Sequence, residues 1–248
     1  MASNLPFGKA TLPESALGAH VFPNDVGGIR PLALAWTGTD QAQHLNVGRS
    51  SNPTTFAGLN TVTLNESSPY GPALAFGNNT LFLAWTGANT MHSLNILSSS
   101  DGITFSNKVT LSESSGTRPA LVFLDKLYLL WSGDDQNHSL NILQSTDGIN
   151  FTNKITLSES SDFPPSLTRA ISGQYFLGWT GRDAAHSLNI LNNAEFSSGP
   201  TNLQVKQTYS ESSIAGVTLG AIEAGHVLYM AWTGSDSQLN FVTIAGYI

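Results

Sequence analysis

The chain contains no cysteine, which excludes a disulfide framework and a thiolate metal site. Charge is scarce as well. Only 11% of residues are charged, with 10 Lys and Arg against 17 Asp and Glu and a formal net charge of -7. A pI near 5.2 argues against nucleic acid or an anionic membrane as partner, since both call for basic surface. No apolar run is long enough to span a bilayer, so membrane insertion is not expected. The first residues, Met-Ala-Ser-Asn-Leu-Pro-Phe-Gly-Lys, lack an apolar signal core. The expected location is the cytoplasm, or export without a visible signal peptide. Helical periodicity is also missing.

What the chain has instead is repetition. Trp-Thr-Gly occurs at Trp36, Trp85, Trp179 and Trp232, and Trp-Ser-Gly at Trp131, which accounts for all 5 tryptophans. They stand 49, 46, 48 and 53 residues apart. A period in this range marks a propeller, solenoid or array. The third unit shows its parts most plainly. Apolar runs at 119–124, 127–131, 138–143 and 154–157 are separated by Asp125-Lys126, by Asp134-Asp-Gln-Asn and by Ser145-Thr-Asp-Gly. Short apolar runs bounded by such polar turns read as strands joined by hairpins. Four antiparallel strands in about 45 residues make one propeller blade.

The sequence therefore predicts an all-β, five-bladed β-propeller forming a single domain over 1–248. Its blades fall at about 15–64, 67–111, 114–157, 160–209 and 212–248. The last unit has three strands only. The early phrase Gly8-Lys-Ala-Thr-Leu-Pro-Glu14-Ser matches Lys108-Val-Thr-Leu-Ser-Glu and Lys154-Ile-Thr-Leu-Ser-Glu, which end other blades. Residues 8–14 are accordingly expected to complete the last blade and close the ring, which removes exposed sheet edges. Both faces of each blade pack on neighbours, so Leu81, Leu83 and Trp85 are expected on one face and Phe82 and Ala84 on the other.

Strand alternation sorts the polar motifs onto two edges. The turns Ser99-Ser-Asp101-Gly-Ile-Thr-Phe105 and Ser145-Thr-Asp147-Gly-Ile-Asn-Phe151 fall on one. Ser50-Ser-Asn52-Pro-Thr-Thr-Phe56 is a degraded copy. They resemble the Asp-box of sialidase-type propellers, one residue short and with Phe for Trp. They read as hairpins stapled by a carboxylate on backbone N–H groups.

The other edge collects the candidate ligand-binding residues. Four residues past each Trp stands Asp40, Asn89, Asp135, Asp183 or Asp236. His44, His92, His138 or His186 follows in four units, and then Asn46, Asn95, Asn141, Asn189 or Asn240. The loop leading into the next unit brings Glu14, Glu66, Glu113, Glu159 or Glu211. With Trp36, Trp85, Trp131, Trp179 and Trp232 near the same edge, the pattern predicts a ring of similar polar clefts between blades. Trp also reads as core packing, while the Asn and Glu read as backbone partners.

Planar hydrogen-bonding groups beside an aromatic face suit sugar hydroxyls, and five matched weak sites give avidity. The expected function is thus a multivalent, non-enzymatic lectin for neutral or N-acetylated sugars, with glycans as partners, no cofactor and no metal. The chain resembles five-bladed lectins of the tachylectin-2 type in architecture and repeat length. That resemblance implies binding of N-acetylglucosamine, N-acetylgalactosamine or related sugars between blades, and no binding residue is carried over from it. The alternatives are an Asp-box-propeller glycosidase and a protein-interaction scaffold. A glycosidase generally needs one special carboxylate pair, whereas the acids here come in matched copies, and Arg30, Arg118, Arg169 and Arg182 sit at non-equivalent positions. Homo-oligomerisation is left open by the sequence.

Overall fold

The computed structural model describes residues 16–22, 32–50, 59–170, 172–193, 199–200, 203–222 and 227–244. The described chain is all β. Sheet 1 contains β1 (Ala16–Phe22), β2 (Leu32–Gly38), β3 (His44–Ser50) and β4 (Asn60–Ser67). Sheet 2 contains β5 (Ala73–Gly77), β6 (Thr80–Thr86), β7 (Ser93–Ser99) and β8 (Ser106–Ser114). Sheet 3 contains β9 (Ala120–Phe123), β10 (Leu127–Ser132), β11 (Ser139–Ser145) and β12 (Thr152–Ser160). Sheet 4 contains β13 (Ser166–Arg169), β14 (Tyr175–Thr180), β15 (Ser187–Asn192) and β16 (Val205–Ser212). Sheet 5 contains β17 (Thr218–Ile222), β18 (Val227–Thr233) and β19 (Leu239–Ile244). Within each sheet the strands pair in chain order and antiparallel. The proposed closing segment 8–14, with Glu14, lies outside the described residues, as does the degraded turn from residue 51 onward.

Register is the same in every sheet. Trp36 opposes Asn46, Trp85 opposes Asn95, Trp131 opposes Asn141, Trp179 opposes Asn189 and Trp232 opposes Asn240. In the four-stranded sheets each Asn in turn opposes a Thr of the fourth strand: Thr63, Thr110, Thr156 or Thr208. A shift of register follows that pair in all four. Such bulges re-aim side chains where pairing ends.

The core lies between sheets. Leu81, Leu83 and Trp85 pack on Ala33, Ala35, Leu45 and Val47 of sheet 1. Phe82 and Ala84, which alternate with them, pack on Leu127, Leu129 and Trp131 of sheet 3. The period-2 geometry of a strand buried on both sides produces this division. Sheets 3 and 4 meet through Tyr128, Leu130, Tyr175, Leu177 and Trp179, and sheets 4 and 5 through Phe176, Ile190, Met230 and Trp232. Each fully buried side chain of this size contributes about 1.5–3 kcal/mol before entropic costs. The first strands form the spine, with β1 against β5, β5 against β9, β9 against β13 and β13 against β17.

Hydroxyls join one sheet to the loop entering the next. Thr37 Oγ1 donates to the Tyr70 carbonyl at 2.8 Å and Thr86 Oγ1 to that of Thr117 at 2.6 Å. Ser132 Oγ does so to Phe163 at 2.9 Å and Thr180 Oγ1 to Ala215 at 2.7 Å. This is the work of the middle residue in Trp-Thr/Ser-Gly. The same loops are held from the other side. Ser68 Oγ donates to the Thr86 carbonyl, Ser115 Oγ to that of Ser132 and Ser213 Oγ to that of Thr233, at 2.7–2.9 Å.

Candidate functional site

The edge bearing the loops between second and third strands was expected to carry the site, and its residues fall into three groups. The first builds the turn after each Trp. Asp135 accepts from the Asn137 amide at 2.8 Å and more weakly from that of Ser139, while Asp183 accepts from the Ala185 amide at 3.0 Å and from the Ser187 hydroxyl at 3.0 Å. Asn89 accepts from the Ser93 amide at 3.0 Å, and Asp236 from that of Gln238 at 2.9 Å. The glycine of the tryptophan phrase makes room for this. A Cβ on Gly133 would lie 2.3 Å from Asp135 Oδ2, and one on Gly181 would lie 2.6 Å from Asp183 Oδ2.

These turns end on a left-handed residue: Gln43, His92, His138, His186 or Ser237, with φ of 47–64°. The four histidines are therefore not equivalent. Counted from Trp, His44 stands where the other units have Ser93, Ser139 and Ser187. Its Nδ1 bonds Asp40 of its own turn at 2.8 Å, as the serine hydroxyls of sheets 3 and 4 bond their own aspartates.

The second group is the asparagines. Asn95 Nδ2 donates to the Ser93 carbonyl at 2.8 Å while its Oδ1 accepts from Thr110 at 2.7 Å. Asn46, Asn141 and Asn189 repeat both bonds with Thr63, Thr156 and Thr208. Asn240 makes the first bond, to Gln238.

The third group joins Glu to Trp through a lysine. Lys108 Nζ lies 2.7 Å from Glu66 of the preceding sheet and 5.6 Å from the Trp85 ring. Lys154 bridges Glu113 and Trp131, and Lys206 bridges Glu159 and Trp179, at nearly the same distances. Trp85, Trp131 and Trp179 are each 1% exposed. The rings do not floor an open cleft, because they are buried between sheets and roofed by the lysine. Glu211 carries no such lysine among the described residues.

The remaining groups break the repeat, and their aspartates, Asp134 and Asp162, were not among the candidates read from the sequence. His92 Nδ1 meets Asp134 Oδ2 of the next sheet at 2.9 Å. His138 Nδ1 meets Asp162 Oδ1, in the loop entering sheet 4, at 2.6 Å. Arg182 Nε lies 2.9 Å from the same oxygen, and its Nη1 donates to the carbonyl of Asn137 at 2.9 Å. Tyr70 packs edge-on to His92, as Phe163 does to His186. Asp134 stands where other units carry Thr39, Ala88, Arg182 or Ser235, and Asp162 where they carry Pro69, Gly116 or Ile214. Departure from the repeat was the signal available. Arg118, at the entry to β9, is a further cation without a repeat counterpart, and burial lowers its pKa. Among the described residues no group of three or more His, Asp and Glu is placed to hold a metal ion.

The opposite edge carries turn chemistry. Asp101 Oδ1 accepts from the amides of Ile103 and Thr104 at 2.8 and 2.7 Å and from the Ser99 hydroxyl, and Asp147 repeats the arrangement. Those backbone donors hold both carboxyls well below the usual range. Asp125 sits under the hydroxyls of Tyr128 and Tyr175. Burial pushes its carboxyl up, but the two phenolic donors outweigh burial and leave it below its ordinary value.

No family model matches the chain and no curated protein matches it. Solved structures do. A protein of unknown function from Dyadobacter fermentans DSM 18053 is 12% identical, with a TM-score of 0.62 over 93% of this chain and 79% of that one. Bacteroides ovatus xyloglucan PUL GH43B is 13% identical, with a TM-score of 0.57 over 96% of this chain and 53% of that one. The α-L-arabinanase of Penicillium chrysogenum, solved with arabinobiose, is 15% identical, with a TM-score of 0.56 over 86% and 89%. The likeness is one of fold and supports the propeller architecture. It also corrects the functional expectation. The activities named among these neighbours are those of glycoside hydrolases, so the expectation of a non-enzymatic lectin does not stand.

Proposed function

We propose that this chain is a glycoside hydrolase acting on neutral polysaccharide of the arabinan or xyloglucan type, and that its five sheets close into a five-bladed propeller. The net charge of -7 disfavours polyanionic substrates. The reaction needs two carboxyl groups that differ in role, one protonating the leaving oxygen and the other acting as base or nucleophile. Asp134 and Asp162 are the candidates. They bracket the loop of sheet 3 that carries His138, and both leave the repeat. Asp40, Asp135, Asp183 and Asp236 are committed to their own turns, and Glu66, Glu113 and Glu159 to lysines. Asp162, fixed by His138 and Arg182, is assigned the base or nucleophile. Asp134, paired with the His92 imidazole at 2.9 Å, is assigned the acid.

The observation that carries this reading is that Asp134 is held by an imidazole, and Asp162 by an imidazole and a guanidinium, rather than by turn backbone or lysine. The test is release of reducing sugar from arabinan and xyloglucan and of chromophore from aryl arabinofuranosides and xylosides. D134N and D162N are each expected to lower turnover by about 100-fold or more, the usual scale for a general acid or base. Absence of turnover on all of these substrates, or full activity in both variants, refutes the proposal.

A further inference from the structure

Sheet 5 presents an open third strand where the other sheets are covered. Its third strand β19 has no fourth strand beside it among the described residues, whereas β3, β7, β11 and β15 each have one. Between this strand and β16 runs a groove of about 900 Å³ lined by Gln207, Tyr209, Glu211, Trp232, Asn240 and Phe241. Three of these have partners in other sheets that are lacking here among the described residues. Asn95, Asn141 and Asn189 accept from a fourth-strand threonine. Glu66, Glu113 and Glu159 accept from a fourth-strand lysine, and that lysine covers the tryptophan.

We infer that the groove is filled by residues 8–14 of the same chain, with Lys9 bridging Glu211 and Trp232 and Thr11 donating to Asn240. In Lys108-Val-Thr110-Leu-Ser-Glu113 the threonine follows the lysine by two residues and the glutamate follows it by five. Lys9, Thr11 and Glu14 keep that spacing. The connection also has the right length. Glu66, Glu113, Glu159 and Glu211 each precede by seven residues the one that opposes the residue before Trp, namely Ala73, Ala120, Ser166 and Thr218. Glu14 precedes His20, which opposes Ala35, by six. Pro13 falls where the fourth strand leaves the ladder between its Thr and Ser pairs, so its missing N–H interrupts no bond there. The charges match, Lys9 against an exposed Glu211.

The cysteine-free chain suits a crosslink. Directly opposed residues on antiparallel strands lie about 4.5–5.5 Å apart at Cα, within disulfide reach. T11C/N240C is expected to oxidise to a bond within one chain, read by peptide mapping, as N95C/T110C does in sheet 2. Free thiols in T11C/N240C where N95C/T110C closes overturn the assignment. A bond joining two chains also overturns it and makes the groove's occupant a second copy. Charge reversal decides independently of crosslink geometry. K9E and E211K should each lower Tm by about 1–4 °C, the scale of a surface ion pair in a chain of this size, and K9E/E211K should recover it. Additive losses overturn the pairing.

Discussion

Replacing Thr86 by Val isolates what the hydroxyl of the tryptophan phrase does. Thr86 is fully buried, and its Oγ1 donates to the Thr117 carbonyl at 2.6 Å. Valine keeps the branched shape, so no cavity opens and strand propensity is not lost. The carbonyl left behind is only partly satisfied, because the Ser115 hydroxyl, 3.0 Å away, has one proton and also faces the Ser132 carbonyl at 2.9 Å. The cost is therefore that of one net hydrogen bond plus partial desolvation, about 1–2 kcal/mol. For a chain of this size that lowers Tm by about 2–8 °C. Calorimetry on T86V measures it directly. T37V and T180V, whose hydroxyls make the same bond to Tyr70 and Ala215, should behave alike. Their effects should add within about 0.5 kcal/mol, since the sites share no partner. An unchanged or raised Tm in T86V would show that the hydroxyl is incidental and that apolar packing alone joins the sheets.

Other positions give sharper contrasts. N141A removes the acceptor of the Thr156 hydroxyl at 2.6 Å and one of the two donors to the Ser139 carbonyl, which keeps the Gly133 amide at 2.9 Å, and should cost about 1–2 kcal/mol in urea unfolding. G133A forces the Asp135 carboxylate aside and should destabilise. G220A, where no heavy atom lies within 4 Å of the new Cβ, should be neutral or stabilising by up to about 1 kcal/mol. D147N should melt below the parent at neutral pH, because the folded-state carboxyl of Asp147 is depressed by backbone donors. That advantage is present above the unfolded value of about 3.9 and fades as pH falls below it, so the two melting curves should converge in acid. A gap that persists in acid would show that the turn does not depend on the charge.

The architecture was legible because tryptophan and the alternating apolar residues obey strand geometry, which needs only the local order of residues. The polar edge was legible in position and not in role. Glu66 reads as a free cleft carboxylate until Lys108, forty-two residues later, is seen to reach it. His44 reads as the fellow of His92 until residues are counted from tryptophan. Asp134 and Asp162 escaped for the opposite reason. A search for what recurs averages away what occurs once, and a lone aspartate in a polar loop carries no pattern. Their partners His92 and His138 were noticed for recurring, while the bonds that set them apart run to residues that do not.

The hydroxyl bonds from one sheet to the next all end on main-chain carbonyls, belonging to Tyr70, Thr117, Phe163 and Ala215. A main-chain acceptor is common to every amino acid, so the junction reads geometry and ignores side-chain identity. A unit copied in tandem by unequal recombination is therefore compatible with its neighbours on arrival, with no compensating change required across the seam. The loop residues whose carbonyls are used remain free to diverge, and a single unit can acquire an Asp134 or an Arg182 without disturbing the order in which the units are strung.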